Sequence, residues 1–467
     1  MNETNENLNN VKTANDEKAE SANERRIYRR KRRIRNQVIA YFVALVLLAG
    51  ITAGANYGFQ SLLVMFRDYQ AANAAANVNA VESEPIVEEI TYEPIVIEEE
   101  VVNVQEEEIF VEEEPVMQVS VLDMIVENCI SELTLEEKIA GLFIITPEAL
   151  TGANNVIRAG EKTREKLLEY PVGGLIYFAS NIQSASQLRE MLENTKNMSK
   201  YPIFLAVDEE GGSVARLAGK NLVPNVGSME AIGATGDAGN ARQAGTTIGT
   251  YLSDFGFNVN FAPVADVASL ADHPMGTRTF GSDPASVADM VSAFILGAKD
   301  TGVSSTLKHF PGLGNTTVDT HVGMAVTERT IDDMRAFDFL PFISGINTGV
   351  EFIMMGHVSV PNITGDNTPA SLSKMMITDI LRTELGFNGI VITDALDMAA
   401  ITEYYTAAEA AVKALQAGAD MILMPESFEE AYIGIQEAIQ NGRLSEERIN
   451  ESLRRIYRVK YAGQAVE

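Results

Sequence analysis

Cysteine is almost missing from this 467-residue chain: Cys129 stands alone. A single thiol excludes a disulfide framework and a thiolate metal cluster. The fold must then rest on its own apolar core, and a 46% hydrophobic chain of this length has material for one large barrel plus extensions. Cys129 itself reads as a small core residue rather than a nucleophile. Histidine is also scarce, with four in all. Positive charge is short over most of the sequence, and the net balance is -29. Such a chain repels phosphate and is a poor nucleic-acid ligand. The basic residues it does have are concentrated, since eight of the eleven positions from Arg25 to Arg35 are Arg or Lys.

That cluster has a local explanation. Residues 1–24 are polar and Asn-rich, so residues 1–35 read as a disordered tail with a basic end. From Val38 to Asn56 no charged residue occurs, which is long enough for a helix to cross a hydrocarbon core. Residues 36–66 are therefore expected to be a transmembrane anchor. A cleavable signal peptide would carry its basic region at the extreme N-terminus and a shorter apolar core. The basic cluster should stay cytoplasmic, which places the C-terminal bulk outside the cell. From Arg67 to Met117 there are fifteen acidic residues and one basic. Self-repulsion with Pro85, Pro94 and Pro115 predicts an extended acidic linker over 67–118. The expected localisation is a single-pass protein of the cell membrane with an extracellular domain over 119–467.

Within that domain, eight short runs are apolar on both faces: IAGLFIITP, VGGLIYF, PIFLAVD, FNVNFAPVAD, SSTLKHF, EFIMMGHV, GIVITDAL and ADMILMP. Parallel strands buried between helices and a barrel core have that character. Amphipathic stretches lie between most of them, among them SASQLREMLENTKNMS and DPASVADMVSAFILGAKDTG. The count of eight predicts an α/β fold of the (β/α)8 TIM-barrel type over a doubly wound open sheet. Asp208, Asp266, Lys308, His309, His357 and Asp394 fall where these strands end, and a barrel brings such ends to one face. Taken singly, each would more often cap the next helix.

Four motifs carry chemistry. In LAVDEEGGSVARL, three acids from Asp208 precede a glycine pair, and Arg216 follows. In TLKHFPGLGNTTVDTHVGM, Lys308 and His309 end a strand, glycines open a loop, and Asp319 and His321 stand two apart. A carboxylate there can fix the tautomer and basicity of the imidazole. In GIVITDALDM, Asp394 ends an apolar strand, poised either to attack an anomeric carbon or to cap a helix, with Asp397 a second candidate cap. In GTRTFGSDP, Arg278 sits in a loop where it can bind a hydroxyl or carbonyl oxygen.

Together these segments resemble glycoside hydrolase family 3, and within it the single-barrel β-N-acetylhexosaminidase group, from about Leu133 onward. KHFPG followed by DTH, and the TDAL strand end, are the most specific elements. The resemblance implies that Asp394 is the nucleophile and that His321, oriented by Asp319, is the acid/base. It assigns Asp208, Arg216, Arg278, Lys308 and His309 to the sugar hydroxyls, and it requires no metal and no cofactor. Leu313 and Asn315 replace a polar pair common in relatives, and Ala395 stands where some relatives carry a second Asp. The expected reaction passes through an oxocarbenium-like transition state and a covalent glycosyl-enzyme. The expected substrate is an N-acetylglucosamine-containing glycan, with peptidoglycan fragments suggested by location. A neutral base repels an anionic acceptor less than a carboxylate does, so phosphate is an alternative to water. Other family 3 glycosidases or glycoside phosphorylases, and a non-catalytic wall-binding module, are the alternatives.

Overall fold

The computed structural model describes residues 120–462. The tail, apolar stretch and acidic linker expected over residues 1–118 lie outside them. Among the described residues, no helix is long and apolar enough to cross a membrane.

All eight expected strands form. They are β1 (Phe143–Ile145), β2 (Gly174–Tyr177), β3 (Phe204–Val207), β4 (Val259–Asn260), β5 (Ser304–Phe310), β6 (Phe352–Met355), β7 (Ile390–Thr393) and β8 (Ile422–Leu423). Apart from Ser304, every residue in them is buried, which explains their apolar character on both faces. The pairings are all parallel, in the order β7-β6-β5-β4-β3-β2-β1-β8. A parallel bridge between Ile392 and Met421 joins the two ends of that order. An open doubly wound sheet would leave those ends apart, so the sheet is an all but closed barrel of TIM type.

The run FNVNFAPVAD yields only a two-residue ladder at β4. Backbone hydrogen bonds continue past it, from Phe261 N–H to Val207 O and from Thr306 N–H to Ala262 O, and Val264 bridges Lys308.

Helices link the strands with clear stop and start chemistry. Ser184 and Gln187 cap the helix Ala185–Met198 reciprocally, and Thr406 and Glu409 do the same for Ala407–Ala417. Asp283 accepts from Ser286 at the head of Pro284–Lys299, with proline in the first turn. The helix Ala238–Phe255 buries Ala241, Ala244, Ile248, Leu252 and Phe255, one stripe at helical spacing. It lies backbone to backbone against Pro284–Lys299: a Cβ on Gly245 would stand 2.2 Å from the Phe294 carbonyl oxygen, and one on Gly297 2.2 Å from that of Arg242. Residues Met375–Glu384, between β6 and β7, form a π-helix. The first described helix, Val121–Glu132, pairs with the last, Glu446–Tyr461, through Arg454–Glu127 and Arg458–Asp123, each at 2.6 Å.

Candidate active site

Asp208 directly follows β3. The next residues fold into a small antiparallel hairpin, Glu209–Gly211 against Val214–Ala215, which returns Arg216 to Asp208. Arg216 Nη2 lies 3.2 Å from Asp208 Oδ2, and Lys308 Nζ donates to Asp208 Oδ1 at 2.9 Å. Glu209 points inward and holds the turn, accepting from the N–H groups of Leu217 and Ala218 and from the Tyr251 hydroxyl. Glu210 closes the network. Lys308 Nζ stands 2.6 Å from its Oε1, and Arg278 grips both its oxygens at 2.8 Å.

Charge compensation governs these groups. Burial would raise the Asp208 carboxyl, but Lys308 and Arg216 hold it at about 2. Glu210 is likewise held low against its burial by Lys308 and Arg278. Burial would strip the Lys308 proton, yet Asp208 and Glu210 hold its pKa above the ordinary lysine value. The result is a fixed charged wall on one side of the barrel mouth.

Asp266, at the end of the β4 segment, grips His309. Its Oδ2 lies 2.7 Å from His309 Nδ1, and its Oδ1 accepts from the backbone N–H of His309 and of Leu313. These contacts keep its carboxyl low despite full burial. The loop after β5 approaches this wall closely, because a Cβ on Gly314 would stand 1.8 Å from the Val267 carbonyl oxygen. No residue but glycine fits there.

Further along the loop, Asp319 Oδ1 lies 2.7 Å from His321 Nδ1 and also accepts the His321 backbone N–H at 2.9 Å. A carboxylate at Nδ1 leaves Nε2 as the nitrogen free for proton traffic. Partial burial would raise Asp319, but the His321 N–H and ring outweigh it and hold the carboxyl low. The imidazole is 70% exposed.

Asp394 follows β7. Its backbone N–H donates to Met355 O, and its Oδ1 accepts from the N–H of Ala395. The capping alternative fails: the next helix, Ala399–Thr402, has Met398 at its N-cap and no side-chain cap, so neither Asp394 nor Asp397 serves there. His357, wholly buried after β6, supports this turn. Its Nε2 lies 2.9 Å from Ala395 O, and its Nδ1 2.8 Å from Ser371 Oγ. A carbonyl only accepts, so Nε2 carries the proton and the Ser371 hydroxyl donates to Nδ1. Burial pushes His357 below the ordinary value, against the charge of Asp394.

The groups share one mouth. The backbone N–H of Ala400 donates to Thr320 O, tying the segment after Asp394 to the centre of the Asp-Thr-His triplet. Asp397 feels both sides: burial and Asp394 push its carboxyl up, while His321 pulls it down. Arg278 in turn helps to lower Asp319. Among the described residues, no cluster of three His, Cys, Asp or Glu side chains is placed to hold a metal ion.

Residues 134–459 match the glycosyl hydrolase family 3 N-terminal domain. The chain belongs to glycosyl hydrolase family 3. Relatives of this family 3 barrel include beta-hexosaminidase A of Pseudoalteromonas piscicida, 35% identical over 326 residues, which are 63% of this chain and 54% of that protein. The beta-hexosaminidase of Nitrosomonas eutropha is 35% identical over 296 residues, covering 61% and 84%. A solved family 3 beta-N-acetylglucosaminidase from Paenibacillus sp. str. FPU-7 superimposes with a TM-score of 0.66 at 35% identity, covering 72% of this chain and 64% of that one. This chain thus spans little more than half the length of the first relative and under two thirds of the solved structure, but most of the Nitrosomonas protein.

Of the residues singled out in the sequence, Asp208, Arg216 and Lys308 meet in one network, and Arg278 joins it through Glu210. Lys308 and Arg278 are held by carboxylates rather than standing free in the mouth. Glu210 escaped sequence reasoning, although it stands in the quoted DEEGG run. Asp266 and His357 were noted as strand ends without a role.

Proposed function

We propose that this protein is a retaining β-N-acetylhexosaminidase that releases terminal β-linked N-acetylglucosaminyl groups. Asp394 is the nucleophile, and His321 with Asp319 the acid/base. The observation that carries this reading is the tie between the Asp319–Thr320–His321 triplet and the segment following Asp394. It sets a proton carrier beside the mouth that holds a strand-end carboxylate. Family membership and the hexosaminidase relatives give further support.

The chemistry follows from the two sites. Asp394 attacks the anomeric carbon and stabilises the oxocarbenium-like charge. His321, exposed at the solvent edge of the mouth, delivers a proton to the leaving oxygen and then takes one from the incoming water. Asp208 and Arg216, Lys308, His309 and Arg278 bind the sugar hydroxyls and amide, held in place before substrate arrives. The stereochemical test is direct. Nuclear magnetic resonance of the first product from an aryl N-acetyl-β-glucosaminide should show the β anomer. An α anomer would refute the covalent route, and no turnover of any aryl glycoside would favour a wall-binding module.

The natural substrate in this reading is peptidoglycan fragments, met by a domain held outside the cell on an acidic linker and an N-terminal anchor. Digestion of muropeptides, and fractionation of cells with antibody against the barrel, test the two parts separately. Release of a sugar phosphate in phosphate buffer would identify phosphate as an acceptor.

A further inference from the structure

Residues 311–330 carry the Asp319–His321 pair between β5 and the helix Ile331–Ala336. Both roots of this loop converge on one buried side chain, Asp338. At the first root, Gly312 (φ 130) lies directly on it: a Cβ there would stand 3.2 Å from Asp338 Cβ and 3.3 Å from its Oδ1. At the second root, Arg329 Nε approaches Asp338 Oδ2 to 2.9 Å. The approach is off-axis for a hydrogen bond, and neither carboxylate oxygen has another hydrogen-bond partner among the described residues, so the contact is charge on charge. The Arg329 guanidinium also lies over the Phe337 ring at 4.6 Å.

Asp338 stands on a rigid base. Its neighbour Phe339 stacks on Phe310 at 5.3 Å, and Phe342 meets the same ring edge-on at 5.1 Å. Phe310 is the last residue of β5. Between the roots, the Asn315 side-chain amide donates to the Thr327 hydroxyl, Ser269 N–H donates to Gly314 O, Ala325–Val326 pair with Val358–Ser359, and Ala400 N–H donates to Thr320 O. Beyond these anchors, the segment bearing His321 reaches 70% exposure.

We propose that Asp338 is a positioning residue for the acid/base. By holding Gly312 and Arg329 on one fixed point, it sets the span of the loop and so the place of the His321 imidazole over the anomeric centre. The inference rests on His321 being the acid/base. Asp338 touches no substrate; it acts through the loop. Three charged groups bear on it: Arg329 at the loop root, Asp266 behind the mouth, and Asp333 from the helix Ile331–Ala336. Burial pushes Asp338 up to about 7, with Arg329 opposing. Removing Arg329 therefore leaves a carboxyl that takes up a proton, not a stranded charge, and Arg329→Gln should keep the fold.

The test is a double-mutant cycle between Asp338→Asn and His321→Ala, on two N-acetyl-β-glucosaminides. One carries a nitrophenyl leaving group, the other an alkyl group that needs a proton to depart. Asp338→Asn should lower kcat on the alkyl substrate about tenfold more than on the nitrophenyl one, with KM unchanged. In the His321→Ala background the same change should alter the ratio by less than about twofold. Equal losses on both substrates, or an undiminished effect without His321, would overturn the proposal. Should Asp338→Asn fail to fold, Arg329→Gln breaks the pair from the other side and is read in the same way. If His321→Ala itself fails to discriminate between the leaving groups, the acid/base reading falls. If it discriminates and the clamp variants do not, only this inference falls.

Discussion

Two Asp–His pairs stand at the mouth of this barrel, and their nitrogen-to-oxygen distances are the same. Asp266 meets His309 at 2.7 Å, and Asp319 meets His321 at 2.7 Å. Their surroundings are opposite. The first pair is 0% and 7% exposed, while the second is 48% and 70% exposed. A buried pair is fixed by several contacts, and Asp266 also takes the backbone N–H groups of His309 and Leu313. It acts as a strut that orients His309. An exposed pair can meet a leaving group and a water in turn, as proton transfer in both directions requires. The same nitrogen-to-oxygen distance thus stands in a buried support and, in the proposed reading, in an exposed proton carrier.

Asp394→Asn sets the scale for that contrast, because it removes the proposed nucleophile. It should lower kcat on the order of 10⁴-fold or more with the thermal midpoint kept; a loss smaller than about tenfold would remove Asp394 from the nucleophile role. Breaking the strut comes next. Asp266→Ala leaves His309 and two buried N–H groups without their partner, and should lose about 3–5 kcal/mol of stability in urea. A fully stable Asp266→Ala variant would erase the distinction between strut and shuttle.

Breaking the exposed pair should do the reverse. His321→Ala should cost about 10²–10³-fold on substrates with poor leaving groups, far less on activated aryl glycosides, and less than about 0.5 kcal/mol of stability. Equal losses on both substrates would take the acid role away from His321.

The smallest effect concerns acid. Asp208 is held at about 2, below its unfolded value, so its contribution is present above about pH 4 and is lost as pH falls through 2. That contribution is about 2–3 kcal/mol. Lys308→Met should therefore flatten the acid limb of the stability curve, and an unchanged limb would show that Asp208 owes its low value to something else.

Much of the barrel was legible in the chain. Buried parallel strands are apolar on both faces, and all eight such runs became strands, because that pattern reports burial directly. Ladder lengths were less legible: the ten-residue run FNVNFAPVAD gives only two ladder residues at β4. The exposed dyad could be read because its two members lie two residues apart. The charged wall was harder, since its bonds are remote in sequence. Arg278 and Glu210 are separated by 68 residues, and Asp266 and His309 by 43. The Asp338 clamp has the same character, because Gly312, Arg329 and Asp338 form no motif until the loop folds back. The expected anchor and linker fall in residues 1–118, outside the described chain.

The clasp between the helices Val121–Glu132 and Glu446–Tyr461 bears on how this barrel is made. Arg454 reaches Glu127 across 327 residues, and Arg458 reaches Asp123 across 335. A polypeptide still emerging from the ribosome therefore has the helix Val121–Glu132 long before its mate, and the clasp forms late. A nascent chain stalled before β8 would present unpaired apolar edges at β1 and β7, the two strands that β8 joins.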